Sequence, residues 1–412
     1  MLERWLTLAF FQAHEGRINQ TSVLLEGSRH FSNGTRINLD LTHLKDSKLP
    51  YSLFPGQVVA VEGMNVSGRK MVPSRIFCGA TPAPTKSKAS ELMRLHHDLQ
   101  DGQPLKLLTA CGPYTTSDNL EYAPLMDLMA IIRAQKPDVV IMSGPFVHIS
   151  NAETTLELDD GSKMQVTYEV FFANKFAALV EELFEKEPGM QTQFVLAPSL
   201  DDAVAEWVFP QAPLADRSPK NGKMLNLPGA EGIEVGKLGL HHVENAGREG
   251  GGPRRVHCVS NPCTLKINEV VIGITSNDTI FQMSADETNA NLEPGSRLTR
   301  IAQHLLQQRS YYPLFPPPLG TNLDLKQLQH CQMPCRPDIL IVPSKLTCFA
   351  RAVCDSTLVV NPGHLAKGTT GGTYAVMNIY PMQREALENA GSDEVEVEHA
   401  IQDRVSIEIK RI

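Results

Sequence analysis

Residues with the potential for chemistry cluster at predicted strand ends in this 412-residue chain. Three consecutive predicted strands end in Cys111-Gly112-Pro113, Ser143-Gly144-Pro145 and Ala197-Pro198-Ser199, and a fourth ends in Asn361-Pro362-Gly363-His364. Loops at the carboxyl ends of parallel strands meet in one crevice, where α/β proteins place their sites. The candidate crevice comprises eight residues: Gly112, Pro113, Gly144, Pro145, Ser199, Asp201, Gly363 and His364. The alternative is that Gly and Pro merely turn the chain sharply at these points.

The side chains of this candidate crevice offer few donor atoms for metal-dependent chemistry. Two-metal phosphoryl chemistry needs two cations roughly 3.5–4 Å apart, held mainly by carboxylates and imidazoles. Asp201 and His364 carry such groups, but they are isolated. Pro113 and Pro145 have no side-chain donor, and the Ser199 hydroxyl binds divalent ions weakly without a carboxylate neighbour. We therefore predict no catalytic residue, no metal ligand and no cofactor here.

Other side chains with metal-binding potential have simpler interpretations. Asp118, Asp202 and Asp278 lie beyond the expected ligand positions, and we expect them to cap loops and turns. Cys331-x3-Cys335 and Cys348-x5-Cys354 depart from the two-residue spacing of usual zinc knuckles. The eight cysteines are sparse and irregular, unlike a secreted disulfide framework. We predict free, buried thiols in a protein of a reducing compartment.

The elements that carry the crevice loops are predicted as an α/β unit with two packed sheets. Residues 105–110 and 138–142 are compact apolar runs, and the segment between them has apolar residues at helical spacing. This β-α-β pattern implies parallel strands and a right-handed crossover. Longer helices are predicted over 168–185 and 298–308. Further strands are predicted at 193–197, 256–259, 270–275, 338–342, 357–360, 373–380 and 405–409.

The first 85 residues follow a different pattern, that of short strands separated by turns. Asn33-Gly34 is a strong hairpin signal, and Pro73 within a strand implies an edge or a bulge. The apolar opening at 1–11 is interpreted as a first strand, because no small-residue cleavage site follows it as in a signal peptide. Further strands are predicted at 22–26, 37–41, 57–62 and 69–77. About five strands suit a small oligonucleotide/oligosaccharide-binding (OB) type of barrel.

Composition excludes several classes of function. With 38 Lys and Arg against 46 Asp and Glu, the formal net charge is −8, which argues against a freely acting nucleic-acid binder. The barrel could still bind single-stranded DNA through aromatic and basic side chains, since residues 1–80 carry nine Lys/Arg and six Asp/Glu. No apolar run approaches the ~18 residues of a membrane span, so we predict a soluble protein with no membrane contact.

The order of the strand-end loops resembles that of the calcineurin-like metallophosphoesterases. Active members carry Asp-x-His, Gly-Asp-x-x-Asp, Gly-Asn-His-Asp/Glu, a lone His and Gly-His-x-His at successive strand ends. Here Cys111-Gly112-Pro113 replaces the first motif, and Pro145 stands where the ligating Asp of the second belongs. The last motif keeps Gly363-His364 but has Ala366 at its second His. The resemblance therefore implies an inactive phosphoesterase-like domain, with an active metal-dependent phosphoesterase as the alternative.

A barrel followed by a ligand-free phosphoesterase domain is similar to the B subunits of eukaryotic replicative DNA polymerases, most closely the polymerase alpha branch. The resemblance covers essentially residues 6–412 and is carried by four stretches: Tyr51-Ser52-Leu53-Phe54-Pro55-Gly56-Gln57-Val58-Val59, Ala110-Cys111-Gly112-Pro113-Tyr114-Thr115-Thr116-Ser117-Asp118, Gln308-Arg309-Ser310-Tyr311-Tyr312-Pro313-Leu314 and Val360-Asn361-Pro362-Gly363. Members usually begin with a helical domain and a flexible linker, which do not stand in this sequence.

This resemblance implies a non-catalytic scaffold of the polymerase alpha–primase complex, located in the nucleus. Its partners would be the C-terminal cysteine-rich domain of the polymerase alpha catalytic subunit and the primase subunits, with DNA contacted weakly or indirectly. The zinc of the complex would lie in the catalytic subunit. The chain would support initiation of DNA replication and primer synthesis on the lagging strand.

The predicted domain organisation follows from these patterns. Residues 1–85 are assigned to the OB-type barrel, 86–103 to a linker with a short helix near 89–99, and 104–412 to the inactive phosphoesterase-like domain. The segment 213–255 holds nine Gly and four Pro, and 385–403 holds seven acidic residues and no Lys or Arg. We predict that 213–255 and 382–404 are flexible surface insertions.

An aromatic, proline-rich segment after the helix at 298–308 is a candidate partner site. It reads Tyr311-Tyr312-Pro313-Leu314-Phe315, followed by three prolines. Tyr and Phe are enriched in the cores of protein interfaces, so Tyr311, Tyr312 and Phe315 are candidate partner-binding residues. The alternative is a packed loop that lines the crevice.

Overall fold

A closed five-stranded barrel forms the amino-terminal part of the computed structural model. The model describes these residues: 5–7, 23–150, 154–157, 161–214, 238–247, 253–389 and 394–412. The barrel strands lie in the order β1-β2-β3-β6-β5. The elements of this part are β1 (Trp5–Thr7), β2 (Val23–Gly27), α1 (Arg29–Ser32), β3 (Arg36–Leu39), α2 (Thr42–Asp46), β4 (Tyr51–Leu53), β5 (Val58–Met64) and β6 (Lys70–Phe77). The predicted OB-type barrel is thus present.

Local sequence signals explain the shape of the barrel. Alternating burial along β2 places Val23 and Leu25 inside, where they pack with Leu39 and Val59. Strands β2 and β3 pair antiparallel as predicted, with the one-turn helix α1 inserted in the connection. The register of β5 and β6 shifts between Glu62 and Gly63, opposite Pro73. This irregularity confirms the predicted bulge, since Pro cannot donate a ladder hydrogen bond.

Residues 86–103 do not form a linker, contrary to the prediction. Strand β7 (Lys86–Lys88) is followed by α3 (Ala89–Met93), which continues as a π-helical segment at Arg94–Leu99. The helix predicted near 89–99 is therefore confirmed. Leu92 and Leu95 on this helix are buried. The segment is attached to the folded body because it buries apolar side chains there.

A six-stranded sheet forms the first layer of the second part, in the order β13-β12-β9-β8-β22-β24. Strands β8, β9, β12 and β13 are parallel, and β22 and β24 are antiparallel to their neighbours. The helices pack on its outer face, where Tyr114, Phe146 and Phe176 form part of an aromatic core. The strands are β8 (Leu105–Cys111), β9 (Val139–Ser143), β12 (Gln193–Ala197), β13 (Val256–Cys258), β22 (Thr373–Ile379) and β24 (Val405–Arg411). The helices on this layer are α4 (Ala123–Gln135), α5 (Tyr168–Phe172) with a π-helical continuation at Ala173–Ala177, α6 (Ala178–Lys186) and α7 (Leu240–Asn245).

A five-stranded sheet forms the second layer, in the order β14-β15-β17-β19-β18. Its strands are β14 (Cys263–Ile267), β15 (Val270–Ile274), β17 (Ile339–Ile341), β18 (Phe349–Val353) and β19 (Thr357–Asn361). Apolar side chains from both sheets, such as Ile141 and Ile272, share one core, which confirms the predicted pair of packed sheets. Helices α8 (Thr279–Asp286) and α9 (Arg297–Gln307) belong to another core cluster, which includes Leu340 and Val359.

Shorter elements complete the described part of the chain. They are β10 (Thr155–Glu157), β11 (Lys163–Gln165), β16 (Thr288–Ala290), a 3-10 helix at Leu325–Cys331, β20 (Ala366–Lys367), β21 (Thr370–Gly371), α10 (Arg384–Glu388), β23 (Glu396–Glu398) and a 3-10 helix at Ile401–Asp403.

Each of the two segments predicted as flexible insertions contains described residues that pack on the core. In 213–255, α7 buries Leu240 and Val243 on the first layer, whereas 215–237 and 248–252 lie outside the described residues. In 382–404, β23 pairs with β7, and Ile401 is fully buried. Gly content and acidity mark these segments in the sequence, but a few apolar residues in each are enough to hold them on the core.

Candidate functional site

The structure brings the predicted strand-end loops together. The Gly112 N–H donates to the Ser143 carbonyl at 2.8 Å, and the Gly144 N–H donates to the Ala197 carbonyl at 2.8 Å. The Leu365 N–H donates to the carbonyl of Cys111 at 2.8 Å. Backbone bonds therefore connect the loops after β8, β9, β12 and β19 at one edge of the first sheet.

The strand-end loops touch closely at two glycines. A Cβ on Gly112 would lie 2.0 Å from the carbonyl oxygen of Pro145, and one on Gly144 would lie 2.1 Å from Oδ2 of Asp202. Real Cβ atoms do not approach so closely, so both glycines are there because the loops touch. A Cβ on Gly144 would also lie 3.0 Å from the Cβ of Ser199, so this side chain packs against Gly144 as well.

The remaining predicted crevice residues are bound to backbone or face solvent. Pro113 accepts a hydrogen bond from the Ala366 N–H at 3.1 Å. The Gly363 N–H donates to the side chain of Asn361 at 2.9 Å. Asp201 is exposed, and its carbonyl accepts from the Ile149 N–H at 2.9 Å. Backbone hydrogen bonds in the turns therefore hold the crevice together as much as side-chain contacts do.

His364 has one ring nitrogen occupied and one buried. Its Nδ1 lies 2.5 Å from the carbonyl oxygen of Gly112, so this nitrogen carries the proton and donates. The other nitrogen, Nε2, is buried without a hydrogen-bond partner among the described residues. The geometry leaves a single imidazole acceptor where two-metal sites need several carboxylates and imidazoles.

Asp202 is the buried acid of the crevice, a role that the sequence did not indicate. Its Oδ1 accepts from the N–H groups of Phe146 and Val147 at 2.8 and 3.1 Å, which ties the loop after β9 to the loop after β12. Its Oδ2 is buried without a partner in the described part of the chain. Burial raises the pKa of Asp202 to about 7, against the opposing effect of these backbone hydrogen bonds. The expected capping role is correct in kind, but it reaches across two loops.

The other candidate ligands also have structural partners. Asp278 caps α8 by accepting from the Phe281 N–H at 3.1 Å, as predicted, and also accepts from the Lys345 N–H at 2.8 Å. Within the described ranges, no group of three or more His, Cys, Asp or Glu side chains is placed to hold a metal ion. Cys331 is a free buried thiol, as predicted, and burial raises its pKa to about 12. Cys335, Cys348 and Cys354 are also free, but they are only half-buried, which corrects the prediction of buried thiols there.

The aromatic segment after α9 divides into a buried and an exposed part. Tyr311 and Tyr312 are 1% and 3% exposed, so they cannot serve as partner-binding residues in this fold. The Tyr311 hydroxyl lies 2.6 Å from the Thr264 hydroxyl, and the Tyr312 hydroxyl donates to Gln282 at 2.7 Å. The packed-loop alternative is therefore correct for the tyrosines. Phe315 is 45% exposed and stays a candidate.

A hydrogen-bond network joins the barrel to the second part. The Ser52 hydroxyl donates to Oε1 of Glu287 at 2.5 Å and lies 2.8 Å from Nε2 of His304. Arg300 donates to both carboxylate oxygens of Glu287, at 2.7 and 3.1 Å. Burial lowers the pKa of His304 to about 4, so the ring is neutral. At Glu287 burial would raise the pKa, but hydrogen bonds from Arg300 and Ser52 outweigh it and lower the pKa.

Further contacts fix the barrel in one orientation. Strand β4 pairs antiparallel with β16, which follows Glu287 directly. Gln308 donates to the carbonyls of Val58 and Cys78 at 2.9 and 2.6 Å and accepts from the Val58 N–H at 2.8 Å. Phe54 packs in the core of the second part, 5.2 Å from the His304 ring. The barrel and the two-sheet unit therefore form a continuous body.

An exposed apolar seam runs beside the crevice, defined by Trp207, Val208, Phe315, Leu319 and Leu325. Each of these side chains is at least 41% exposed. At one end, the Phe315 N–H donates to the barrel carbonyl of Pro55 at 3.1 Å. At the other, Asn322 donates to the carbonyl of Trp207 at 3.1 Å. Exposed apolar side chains on neighbouring loops are candidates for an interaction site on a soluble protein.

Comparisons with known proteins now give the family. The family model for the B subunits of DNA polymerases alpha and epsilon matches residues 107–351, and the model for the OB domain of the DNA polymerase alpha B subunit matches residues 9–79. The chain belongs to the B-subunit family of DNA polymerases alpha and epsilon. The predicted resemblance to polymerase B subunits is thereby confirmed.

Three relatives of this B-subunit family show the extent of the similarity. Each is named as the B subunit of DNA polymerase alpha. The Rattus norvegicus protein is 35% identical over 361 residues, with 87% of this chain and 52% of the relative covered. The Mus musculus protein is 34% identical, with 91% and 54% covered, and the Schizosaccharomyces pombe protein is 30% identical, with 89% and 58% covered. The chain thus spans about half the length of these relatives.

In the described ranges, none of the helices is both long and apolar enough to cross a bilayer.

Proposed function

We propose that this chain is a non-catalytic accessory subunit of a DNA polymerase alpha–primase complex in the nucleus. Its role is to bind the C-terminal cysteine-rich domain of the catalytic subunit and to associate through it with the primase subunits. In this way it supports initiation of DNA replication and lagging-strand primer synthesis. The observation that carries this proposal is a strand-end crevice closed by backbone contacts, in a chain that belongs to the B-subunit family.

The two-sheet unit is, in this proposal, a phosphoesterase-like domain that has lost its metal ligands. Support comes from the sequence of the loops after β8 and β9, where Gly112-Pro113 and Gly144-Pro145 stand at the positions at which the resemblance expects metal-ligand motifs. His364 remains from the expected ligand set, but its Nδ1 is hydrogen-bonded to the carbonyl oxygen of Gly112. The protein should contain no stoichiometric Mn, Fe or Zn, and it should not hydrolyse a generic phosphodiester with manganese. Hydrolysis that disappears in His364→Ala would instead establish the phosphoesterase alternative.

A scaffold must hold its partner against two domains in a fixed geometry. The network of Ser52, Glu287 and His304 and the contacts of Gln308 supply this rigidity. Phe315 is hydrogen-bonded to Pro55 of the barrel, and Trp207 is hydrogen-bonded to Asn322 of the second part. We therefore assign the seam, with Phe315 at its barrel end, as the surface that contacts the catalytic subunit. Such a complex should bury at least the ~1,600 Å² of a standard interface.

DNA contact by the barrel is proposed to be weak or indirect. Two basic residues of the barrel are neutralised by neighbours, since Arg36 pairs with Glu26 at 2.8 Å and Lys70 pairs with Asp40 at 2.5 Å. Lys70 also holds the pKa of Asp40 at about 2. A stand-alone single-strand binder needs free cations along its groove, because release of counterions from phosphates supplies most of the affinity.

The deciding experiment is co-elution of the purified chain with the C-terminal cysteine-rich domain of the polymerase alpha catalytic subunit at micromolar concentration. Phe315→Asp combined with Leu319→Asp should weaken the complex at least tenfold, because charge would replace apolar contact in the seam. Met164→Asp is the matched control, since Met164 is an equally exposed apolar residue on the β10–β11 hairpin. Failure of the unmodified chain to co-elute would overturn the proposed role. An equal loss in the control would overturn the assignment of the seam.

A further inference from the structure

Trp207 is the one member of the apolar seam whose side chain carries a polar group. The residue is 54% exposed, yet its indole N–H donates to the carbonyl oxygen of Asp202 at 3.2 Å. Both residues lie in the loop after β12, so the ring is tied to the backbone of its own loop. An exposed aromatic side chain is thereby held against the protein instead of moving freely in solvent.

The backbone on either side of Trp207 is also fixed. Before it, the side-chain amide of Gln211 donates to the carbonyl oxygen of Glu206 at 2.5 Å. At Trp207 itself, the side-chain amide of Asn322 donates to the carbonyl oxygen at 3.1 Å. After it, the N–H of the buried Phe209 donates to the carbonyl oxygen of Asn322 at 2.8 Å. The residues 206–209 are therefore held by partners from two sides.

The crevice fixes the acceptor of the indole N–H. The Oδ1 atom of Asp202 accepts from the N–H groups of Phe146 and Val147, at 2.8 and 3.1 Å. Next to it, the Ala203 N–H donates to the carbonyl oxygen of Val147 at 2.8 Å. Side chain and backbone at this point therefore both join the loop after β12 to the loop after β9. Asp202 thus connects the closed crevice, through its side chain, to the seam, through its carbonyl oxygen.

A side chain that is already ordered has an advantage in binding. Ordering a mobile side chain at an interface lowers the affinity through lost entropy, and a side chain held in place avoids this loss. Trp is also enriched among the few residues that carry most of the binding free energy of protein interfaces. Leu325 offers the contrast within the seam, because it is 58% exposed and has no polar side-chain atom through which a hydrogen bond could hold it.

The bond of the indole N–H also defines the chemistry of the partner surface. A Trp that becomes buried usually needs an acceptor for its N–H, because an unpaired buried donor is unfavourable. Here Asp202 supplies the acceptor within the chain, so the partner does not have to. The surface that covers Trp207 can therefore be an apolar pocket without a hydrogen-bond acceptor for the ring.

We propose that Trp207 is the anchor residue through which the seam binds an apolar pocket of the catalytic subunit, and that Asp202 is the positioning residue that holds it. This inference rests on the proposed function and deepens it. It gives the closed crevice loops a role, which is to present an exposed aromatic side chain in a fixed orientation. In the complex, the ring enters the pocket while its N–H stays bonded to Asp202.

The binding test compares two exposed seam residues in the full chain. Trp207→Ala should weaken binding to the C-terminal cysteine-rich domain of the catalytic subunit at least tenfold, because it removes a pre-ordered aromatic contact. Leu325→Ala is the matched control, since Leu325 is similarly exposed but not held, and it should weaken binding by less than about threefold. Titration calorimetry measures both affinities. Equal losses in the two variants would overturn the anchor assignment.

The positioning test uses the fluorescence of the free chain. The chain has two Trp residues, so Trp5→Phe leaves Trp207 as the only one. Its anisotropy decay should lack a fast component from local motion of the ring. In this background, Asp202→Ala should introduce that component and weaken the complex. Asp202→Asn should do neither, because its amide oxygen can still accept from Phe146 and Val147. A purely structural role of Asp202 would change the stability without releasing Trp207.

The outcomes separate this inference from the proposed function. The anisotropy decay needs no partner, and a freely moving Trp207 in the Trp5→Phe chain would overturn the inference. An immobile Trp207 in folded Asp202→Ala would do the same. If that variant does not fold, Asp202→Ser replaces it, because the shorter hydroxyl cannot reach both N–H groups.

The co-elution experiment completes the separation. If the unmodified chain binds the catalytic subunit but Trp207→Ala binds as tightly, the anchor assignment alone is wrong. Failure of the unmodified chain to co-elute would overturn the proposed function, and the anchor assignment with it.

Discussion

Two buried carboxylates, in two regions of the molecule, have pKa values that shift in opposite directions. In the crevice, Asp202 accepts two backbone N–H groups, and burial raises its pKa to about 7. At the junction of barrel and sheets, Glu287 is bonded by Arg300 and Ser52, and these bonds lower its pKa in spite of burial. With only neutral N–H donors, burial determines the direction of the pKa shift at Asp202. At Glu287, the hydrogen bonds from a cation and a hydroxyl together outweigh the effect of burial on the pKa.

This difference bears on what each region can do. In the crevice, Asp202 joins two loops through neutral backbone donors alone. A junction that fixes a carboxylate between charged and polar partners from distant parts of the chain holds two domains in one orientation. Ser52 and His304, for example, are 252 positions apart in the sequence.

The largest expected effect tests whether the crevice can open. In Gly144→Ala the added methyl would lie 2.1 Å from Asp202 Oδ2 and 3.0 Å from the Ser199 backbone nitrogen. We expect the free energy of unfolding, measured by chemical denaturation, to fall by about 3 kcal/mol, because the buried Asp202 carboxylate must leave its backbone donors and Ser199 must shift. Gly189→Ala is the control, since no atom lies within 4 Å of its Cβ position. Equal stability of both variants would mean that the loops are not locked.

The next effect tests the ionic junction. Glu287→Ala removes the acceptor of Arg300 and Ser52 and leaves a partly buried guanidinium unpaired. We expect a loss of about 3 kcal/mol in the free energy of unfolding, as for other broken buried pairs. Glu287→Gln keeps one acceptor oxygen and should lose less. If Glu287→Gln were as stable as the unmodified chain, the charge of Glu287 would have no role at this junction.

The two carboxylates should also differ in their pH dependence. The pKa of Asp202 is raised in the folded protein, so its contribution to stability is greatest at low pH and declines as pH rises from about 4 to about 7. Between pH 5 and pH 7, the unmodified chain should lose about 2 kcal/mol relative to Asp202→Asn, which cannot ionise. Denaturation of both proteins across this range measures the difference. Parallel stability curves would contradict the shifted pKa.

The sequence predicts the local features of both regions better than their long-range contacts. Asn33-Gly34, Pro73 and the Gly-Pro loops act on neighbouring backbone, so the hairpin, the bulge and the crevice follow from short patterns. The bonds of Ser52 to Glu287 and of His399 to Asp338 join residues far apart, and no spacing rule indicates them. His399 lies in the segment predicted to be flexible, yet it is 1% exposed. The acidic composition of the segment indicated solvent exposure, so the buried contact of His399 could not be predicted from the sequence.

The smallest expected effect is the loss of an exposed Arg–Glu pair, which shows how much of the stability of such a pair depends on burial. Arg36 and Glu26 lie opposite each other on β3 and β2, and their side chains pair at 2.8 Å. The chemistry matches that of Arg300 and Glu287, but the Arg36 side chain is 39% exposed and water competes for both ions. Arg36→Ala should lower the free energy of unfolding by about 0.5 kcal/mol or less, and this loss should vanish in 1 M salt, where the screening length is about 3 Å. The loss in Glu287→Ala should persist in the same salt, because solvent ions do not reach a carboxylate that is 1% exposed. Equal salt sensitivity in the two variants would show that burial does not distinguish the junction from the barrel surface.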